Sequence, residues 1–91
     1  MRFVWDPKKN EEHIRKHSVS FEQALYVYSD PNRLTLYDSV HSFDENRWVL
    51  IGNANGHILF VIEAEANEDD TVLIVSARKA IKREQEQYVN S

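Results

Sequence analysis

The chain has no cysteine, so it can hold neither a disulfide nor a thiolate metal site. The staples of many small secreted domains are therefore missing, and a cytoplasmic protein is expected. With only two glycines there is no Gly-rich loop to cradle a phosphate, and no serine stands in a Gly-x-Ser-x-Gly elbow. Long apolar runs are absent as well. The longest, Ile58 to Ile62, is far below the ~18 residues a membrane span requires. The start, MRFVWDPKK, lacks an apolar stretch behind a basic region, so no signal peptide is expected. Positive charge is scarce too: 11 Lys and Arg face 15 Asp and Glu, a net charge of −4 that argues against a general nucleic-acid binder.

What is present is ordinary globular material. The 91 residues suit one domain, 1–91, and the 42% hydrophobic content is too high for a disordered chain. So short a chain buries only about 60–65% of its unfolded surface, which leaves modest stability and makes a stabilising partner plausible on physical grounds. The scarce basic residues are not spread evenly. Lys8, Lys9, Arg15 and Lys16 gather near the start, and Arg78, Lys79, Lys82 and Arg83 near the end. Between His17 and Ala77 only Arg33 and Arg47 are basic, against ten carboxylates. If helices carrying these two segments pack on one side of a sheet, an acidic protein acquires a local basic surface. The plain alternative is a pair of solvated helix faces.

Periodicity and punctuation predict the element order. Met1 to Trp5 reads as a short strand. Asp6-Pro7 opens a helix over Lys8 to His17, with Asp as cap and Pro at the first helical position. Ser20 and Gln23 have capping-box spacing and start a second helix, whose stripe Phe21, Ala24, Leu25 and Tyr28 faces the core until Asp30-Pro31 stops it. Strands follow at Arg33 to Tyr37, Arg47 to Gly52, His57 to Glu65 and Thr71 to Ser76. Asp38 to Asn46 separates the first two as a polar loop, and Asn55-Gly56 marks a hairpin. Ala77 to about Val89 is predicted as the last helix, opened by Arg78. The class is α+β, with helices packed on an antiparallel sheet.

Four kinds of chemistry compete for these residues. His13 and His17, four apart on one helix face, have the spacing of paired zinc ligands, but the segment HIRKH lacks the glutamate base of HExxH. A third ligand from His41 or Glu45 is not fixed by anything in the pattern. Nucleophilic catalysis has neither a cysteine nor a serine elbow. A general acid–base site can be assembled from His17, His41 and His57, with Glu45 and Arg47 beside a strand start and Arg78 near the last helix. A pure interaction domain is the fourth reading, with Trp5, Tyr26, Tyr28, Tyr37 and Trp48 divided between core and surface.

The order of short motifs adds weight to the third. The chain runs Phe3-Val4-Trp5-Asp6, Lys16-His17, Val19-Ser20-Phe21-Glu22 with Ala24, and Asp30-Pro31. It continues with His41-Ser42, Glu45, Arg47 and Ile51-Gly52, and closes with Ser76-Ala77-Arg78-Lys79-Ala80, Glu84 and Tyr88. In this order and spacing, over essentially the whole chain, it resembles the BrnT family of bacterial toxins. The resemblance implies a RelE/ParE-like fold, an antiparallel sheet with two N-terminal helices and a C-terminal helix. It also implies a cytoplasmic ribonuclease that needs no metal or other cofactor. The partner it implies is a BrnA-like ribbon-helix-helix antitoxin, through which alone the toxin would meet DNA.

On that reading Arg78 stabilises the charge on phosphorus, with Arg47 second. His17 or His41 moves protons, and Glu45 is an alternative base. Lys16, Lys79, Lys82, Arg83 and His57 hold the RNA. The chain also departs from the family pattern: His57, Leu73 and Ala66 stand where basic residues are common, His13 replaces an Asn, and Ser18 replaces a Gly. Fewer cations weaken phosphate binding. The alternative is thus a catalytically weak or inactive relative that keeps the fold and the antitoxin surface.

Overall fold

The computed structural model describes all residues, 1–91. Its elements are β1 (Arg2–Val4), α1 (Pro7–His17), α2 (Phe21–Ala24) running into a 3-10 segment (Leu25–Ser29), β2 (Leu34–Tyr37), β3 (Arg47–Ala54), β4 (His57–Glu65), β5 (Thr71–Lys79) and α3 (Lys82–Val89). No helix is long and apolar enough to cross a membrane.

The local signals act as their chemistry dictates. Asp6 accepts the Lys8 amide at 2.9 Å, Pro7 occupies the first turn of α1, and Ser18 ends it in a left-handed conformation. Ser20 and Gln23 satisfy each other's amides at the start of α2. Asn55 and Gly56, both at positive φ, turn β3 into β4 and pair Ala54 with His57. The second helix is shorter than its apolar stripe predicts. Tyr26, Val27 and Tyr28 are weak helix formers, and the 3-10 winding seats Val27 directly over β3. That approach requires Gly52, where a Cβ would stand 2.7 Å from Val27 Cγ1.

The architecture is α+β, as the element pattern predicts, but the sheet is mixed rather than antiparallel. Its order is β1-β5-β4-β3-β2. The last four strands form an antiparallel meander, forced by short connections. β1 is parallel to β5, pairing Phe3 with Val72. No hairpin constrains β1, whose partner lies almost the whole chain away.

The end of the chain departs furthest from expectation. Ala77, Arg78 and Lys79 do not open a helix; they extend β5 and pair with Val61, Phe60 and Leu59. Their helix propensity yields to a nine-residue β4 that offers a full ladder, and to the complete burial of Ala77. The helix starts only at Lys82, where the Glu84 carboxylate accepts the Ile81 amide at 2.9 Å.

A bulge sets which way Arg78 points. Ile62 pairs with Ser76 but Glu63 pairs with Ile74, so Val75 is an extra residue. Ile74 and Ala77, three apart, therefore both enter the main core, and Arg78 turns to the opposite face. The main core joins Leu50, Ala54, Leu59, Val61, Ile74 and Ala77 of the sheet to Val19, Phe21, Ala24 and Val27. α1 belongs to this side: the His13 ring lies 5.0 Å from that of Phe21, and Asn10 accepts the Phe21 amide. α3 lies on the other side, with Glu84 against Arg78. The basic segments of α1 and α3 are thus on opposite faces, not together on one side of the sheet.

Candidate functional site

Strand alternation places Arg47, Val49 and Ile51 of β3 on the face that also carries Phe60 and Arg78. This face is only partly covered. α3 shelters one end, and the loop 38–46 rises at the other. Between them runs an open groove lined by Leu36, Val49, Ile51 and Phe60, with Arg83 and Gln87 along the helix side and Asp38 and His41 along the loop.

The loop is held by hydrogen bonds rather than by packing. One oxygen of Asp38 accepts the amides of Val40 and His41, both at 3.2 Å, and the other lies 2.8 Å from His41 Nδ1. Ser42 Oγ donates to the Asp38 carbonyl and accepts the Arg47 amide. Asn46 is clamped to both carboxylate oxygens of Glu65 on β4. Burial pushes the Asp38 carboxyl up, but the hydrogen bonds from the His41 ring and from the two amides outweigh it. The net result lies below the ordinary aspartate value. An ionised Asp38 fixes the largely exposed His41 ring and, in the tautomer with Nδ1 as donor, leaves Nε2 as the proton acceptor.

Next to it, His41, Phe43, Asp44, Glu45 and Arg47 line a shallow hollow of about 410 Å3. Arg47 Nη2 stands 3.2 Å from Glu45 Oε1, both side chains about one-third exposed. Arg47 Nε is buried and has no partner. The partly exposed guanidinium of Arg47 beside the exposed His41 imidazole is suited to an anionic, hydrogen-bond-accepting group.

Arg78 is differently placed. Its two terminal nitrogens reach both oxygens of Glu84 at 2.8 and 2.9 Å, one of them also donates to the Lys79 carbonyl, and its Cζ lies 4.1 Å from the Phe60 ring centroid. The bidentate hydrogen bonds from Arg78 hold the Glu84 carboxyl below the ordinary glutamate value against the opposing effect of burial. The fork that would grip a phosphate is already occupied by a carboxylate.

The structure therefore gathers His41, Glu45 and Arg47 in one hollow, with Arg78 and Arg83 farther along the same face. It leaves the other sequence candidates elsewhere. Lys16 and His17 end α1, on the main-core side. His57 and Lys79 fall on the main-core side of β4 and β5 by alternation, and Lys82 is exposed at the start of α3. The His13–His17 pair does not meet a third ligand: His13 Nδ1 lies 2.8 Å from the Lys9 carbonyl and Nε2 3.1 Å from Ser76 Oγ, while His41 and Glu45 stand on the opposite face. Asp38 was missed in the sequence. Its only signal was an Asp three residues before a His in a polar loop.

A protein-family model described as the ribonuclease toxin, BrnT, of a type II toxin–antitoxin system matches residues 5–84. No curated protein matches the chain.

Proposed function

The chain belongs to the BrnT family of ribonuclease toxins of type II toxin–antitoxin systems, and on that premise we propose that it is a metal-independent, RelE-like endoribonuclease whose site is the hollow at the loop 38–46. One observation carries this reading: His41, Glu45 and Arg47 meet there, with Asp38 orienting the imidazole. His41 Nε2 takes the proton from a ribose 2′-hydroxyl, whose oxygen attacks the adjacent phosphorus. The bond to the 5′-oxygen breaks, leaving a 2′,3′-cyclic phosphate, and water supplies the proton to the departing oxygen, with Glu45 as the alternative base. Arg47 stabilises the charge growing on the phosphoryl oxygens. It takes this role ahead of Arg78, whose guanidinium is committed to Glu84. Arg83 extends the cationic track along α3; Lys16, Lys79, Lys82 and His57 are left to hold RNA that continues beyond the face.

Family membership brings an antitoxin partner and an RNA substrate. We take the antitoxin to be a BrnA-like ribbon-helix-helix protein, the setting to be the bacterial cytoplasm, and residues 1–91 to be a single toxin domain. A second reading, a relative that binds its antitoxin without cutting RNA, draws support from Glu84 neutralising Arg78, from Glu45 pairing with Arg47, and from Asp38 and Asp44 nearby.

The test is purified protein on single-stranded RNA with and without a chelator, beside His41→Ala and Arg47→Ala. Chelator-insensitive cleavage to cyclic-phosphate ends is expected. Arg47→Ala should lose about 10²–10³-fold in rate and His41→Ala about 10²–10⁴-fold, with melting unchanged. Cleavage that the chelator abolishes and zinc restores defeats metal independence. An Arg47→Ala protein of full activity returns the role to Arg78. An inactive wild type that still co-elutes with its antitoxin selects the second reading.

A further inference from the structure

Phe43 is the most exposed large hydrophobic residue in the protein, 87% open to solvent, and it forms one wall of the hollow at the loop 38–46. Here both flanks are fixed: Ser42 is bonded through its hydroxyl to Asp38 and Arg47, and Glu45 and Asn46 are held by Arg47 and Glu65. The ring is thus presented on an ordered backbone, so little conformational entropy is lost when something packs on it.

The charge around it narrows what that something is. Asp38, Asp44 and Glu45 outnumber Arg47, so phosphate attraction alone cannot hold a nucleic-acid chain here. An aromatic face can, because stacking acts on every base and does not depend on counterion release. We propose that Phe43 is a stacking platform for one unpaired base of a single-stranded RNA, setting the neighbouring phosphate against Arg47 and the ribose hydroxyl toward His41. This rests on the ribonuclease reading of the same hollow and assigns how its substrate is gripped. A protein-docking role for Phe43, shared with exposed Val40, is the competing outcome.

The experiment measures binding of a 2′-O-methyl oligoribonucleotide, which has no free 2′-hydroxyl and is not cut, to wild type, Phe43→Ala and Phe43→Trp at two salt concentrations. The neighbouring antitoxin serves as a second ligand. Phe43→Ala should bind RNA about 5- to 150-fold more weakly, the range expected for loss of one stacked base. Its melting temperature and its complex with the antitoxin should be unchanged. Phe43→Trp should keep the affinity, its added indole emission should be quenched by the oligonucleotide, and the salt slope should be shallow. Wild-type affinity in Phe43→Ala overturns the platform while leaving the cleavage assay to stand. Loss of the antitoxin complex with RNA binding intact overturns it in favour of protein docking. A wild type that neither binds nor cuts RNA removes both the platform and the ribonuclease reading.

Discussion

Leu50 and Ile51 are neighbours on β3 and equally buried, yet they face different materials. Leu50 joins the continuous apolar core under α2 and the 3-10 segment. Ile51 looks onto the other face, where α3 buries only one residue, the glutamate Glu84. The first face is held by hydrophobic burial. The second is held by polar ties: Arg78 to Glu84, and Tyr88 to Asp30 at 2.6 Å. Asp30 also accepts the amides of Asn32 and Asn53, so it fastens the 3-10 segment, β3 and α3 together. Burial pushes the Asp30 carboxyl up, but these bonds, Tyr88 foremost, and nearby Arg33 bring it below its ordinary value. The lesson is a division of labour. One face supplies stability, and the other, left open between α3 and the loop 38–46, retains polar groups free to meet a ligand.

The comparison breaks most sharply on the apolar side. Phe21 is fully buried at the centre of the core. Phe21→Ala should lose about 3–5 kcal/mol, a large part of what so small a domain possesses. Urea denaturation is the measurement, and a loss under about 1 kcal/mol would show that this face does not carry the stability.

The polar side should yield less. Arg78→Ala leaves Glu84 buried without its partner, a loss of about 1–3 kcal/mol, moderated because Arg78 itself is 30% exposed. This loss should depend on pH. The folded-state pKa of Glu84 is lowered from 4.5, so its contribution is complete above that value and disappears as pH falls through the lower, folded one. Wild type and Arg78→Ala should therefore melt apart at neutral pH and converge in acid. A gap independent of pH would mean that the ion pair is not what holds α3.

How much of this was legible beforehand depends on the range of the interaction. Asp6-Pro7, Ser20 with Gln23 and Asn55-Gly56 act within a few residues, and each forms the cap or turn its sequence predicts. Arg78 was misplaced because Ala77 to Ala80 looks helical locally, and only the partner strand β4, with the bulge at Val75, decides otherwise. The same bulge aims Arg78 away from the main core, and nothing in the residues themselves signals it. The parallel seat of β1 beside β5 was equally hidden, being a contact between the two ends of the chain. In the site, His41, Glu45 and Arg47 were identified as types near a strand start. Their joining depended on Asp38, whose role emerges only once the loop closes on itself.

The smallest expected effect tests whether the main-core side is wholly apolar in its energetics. Glu63 points to that side from β4, half-buried, and accepts the Tyr28 hydroxyl at 2.9 Å. Burial raises its pKa above 4.5, although the Tyr28 bond and Arg33 oppose the shift. The Tyr28 hydroxyl is in turn raised, first by its own burial and then by the charge and hydrogen bond of Glu63. A carboxyl with a raised folded pKa favours folding fully only below its unfolded value, and its ionisation erodes stability as pH rises through the folded one. Above that folded value the protein carries a partly desolvated charge within its apolar side. Glu63→Gln keeps an oxygen to accept the Tyr28 hydroxyl and removes that charge. It should melt slightly higher than wild type at pH 7, by under about 1 kcal/mol in stability, and match it below pH 4. A variant less stable at pH 7 would show that attraction to Arg33 outweighs desolvation, so that this side too depends on an ionic tie.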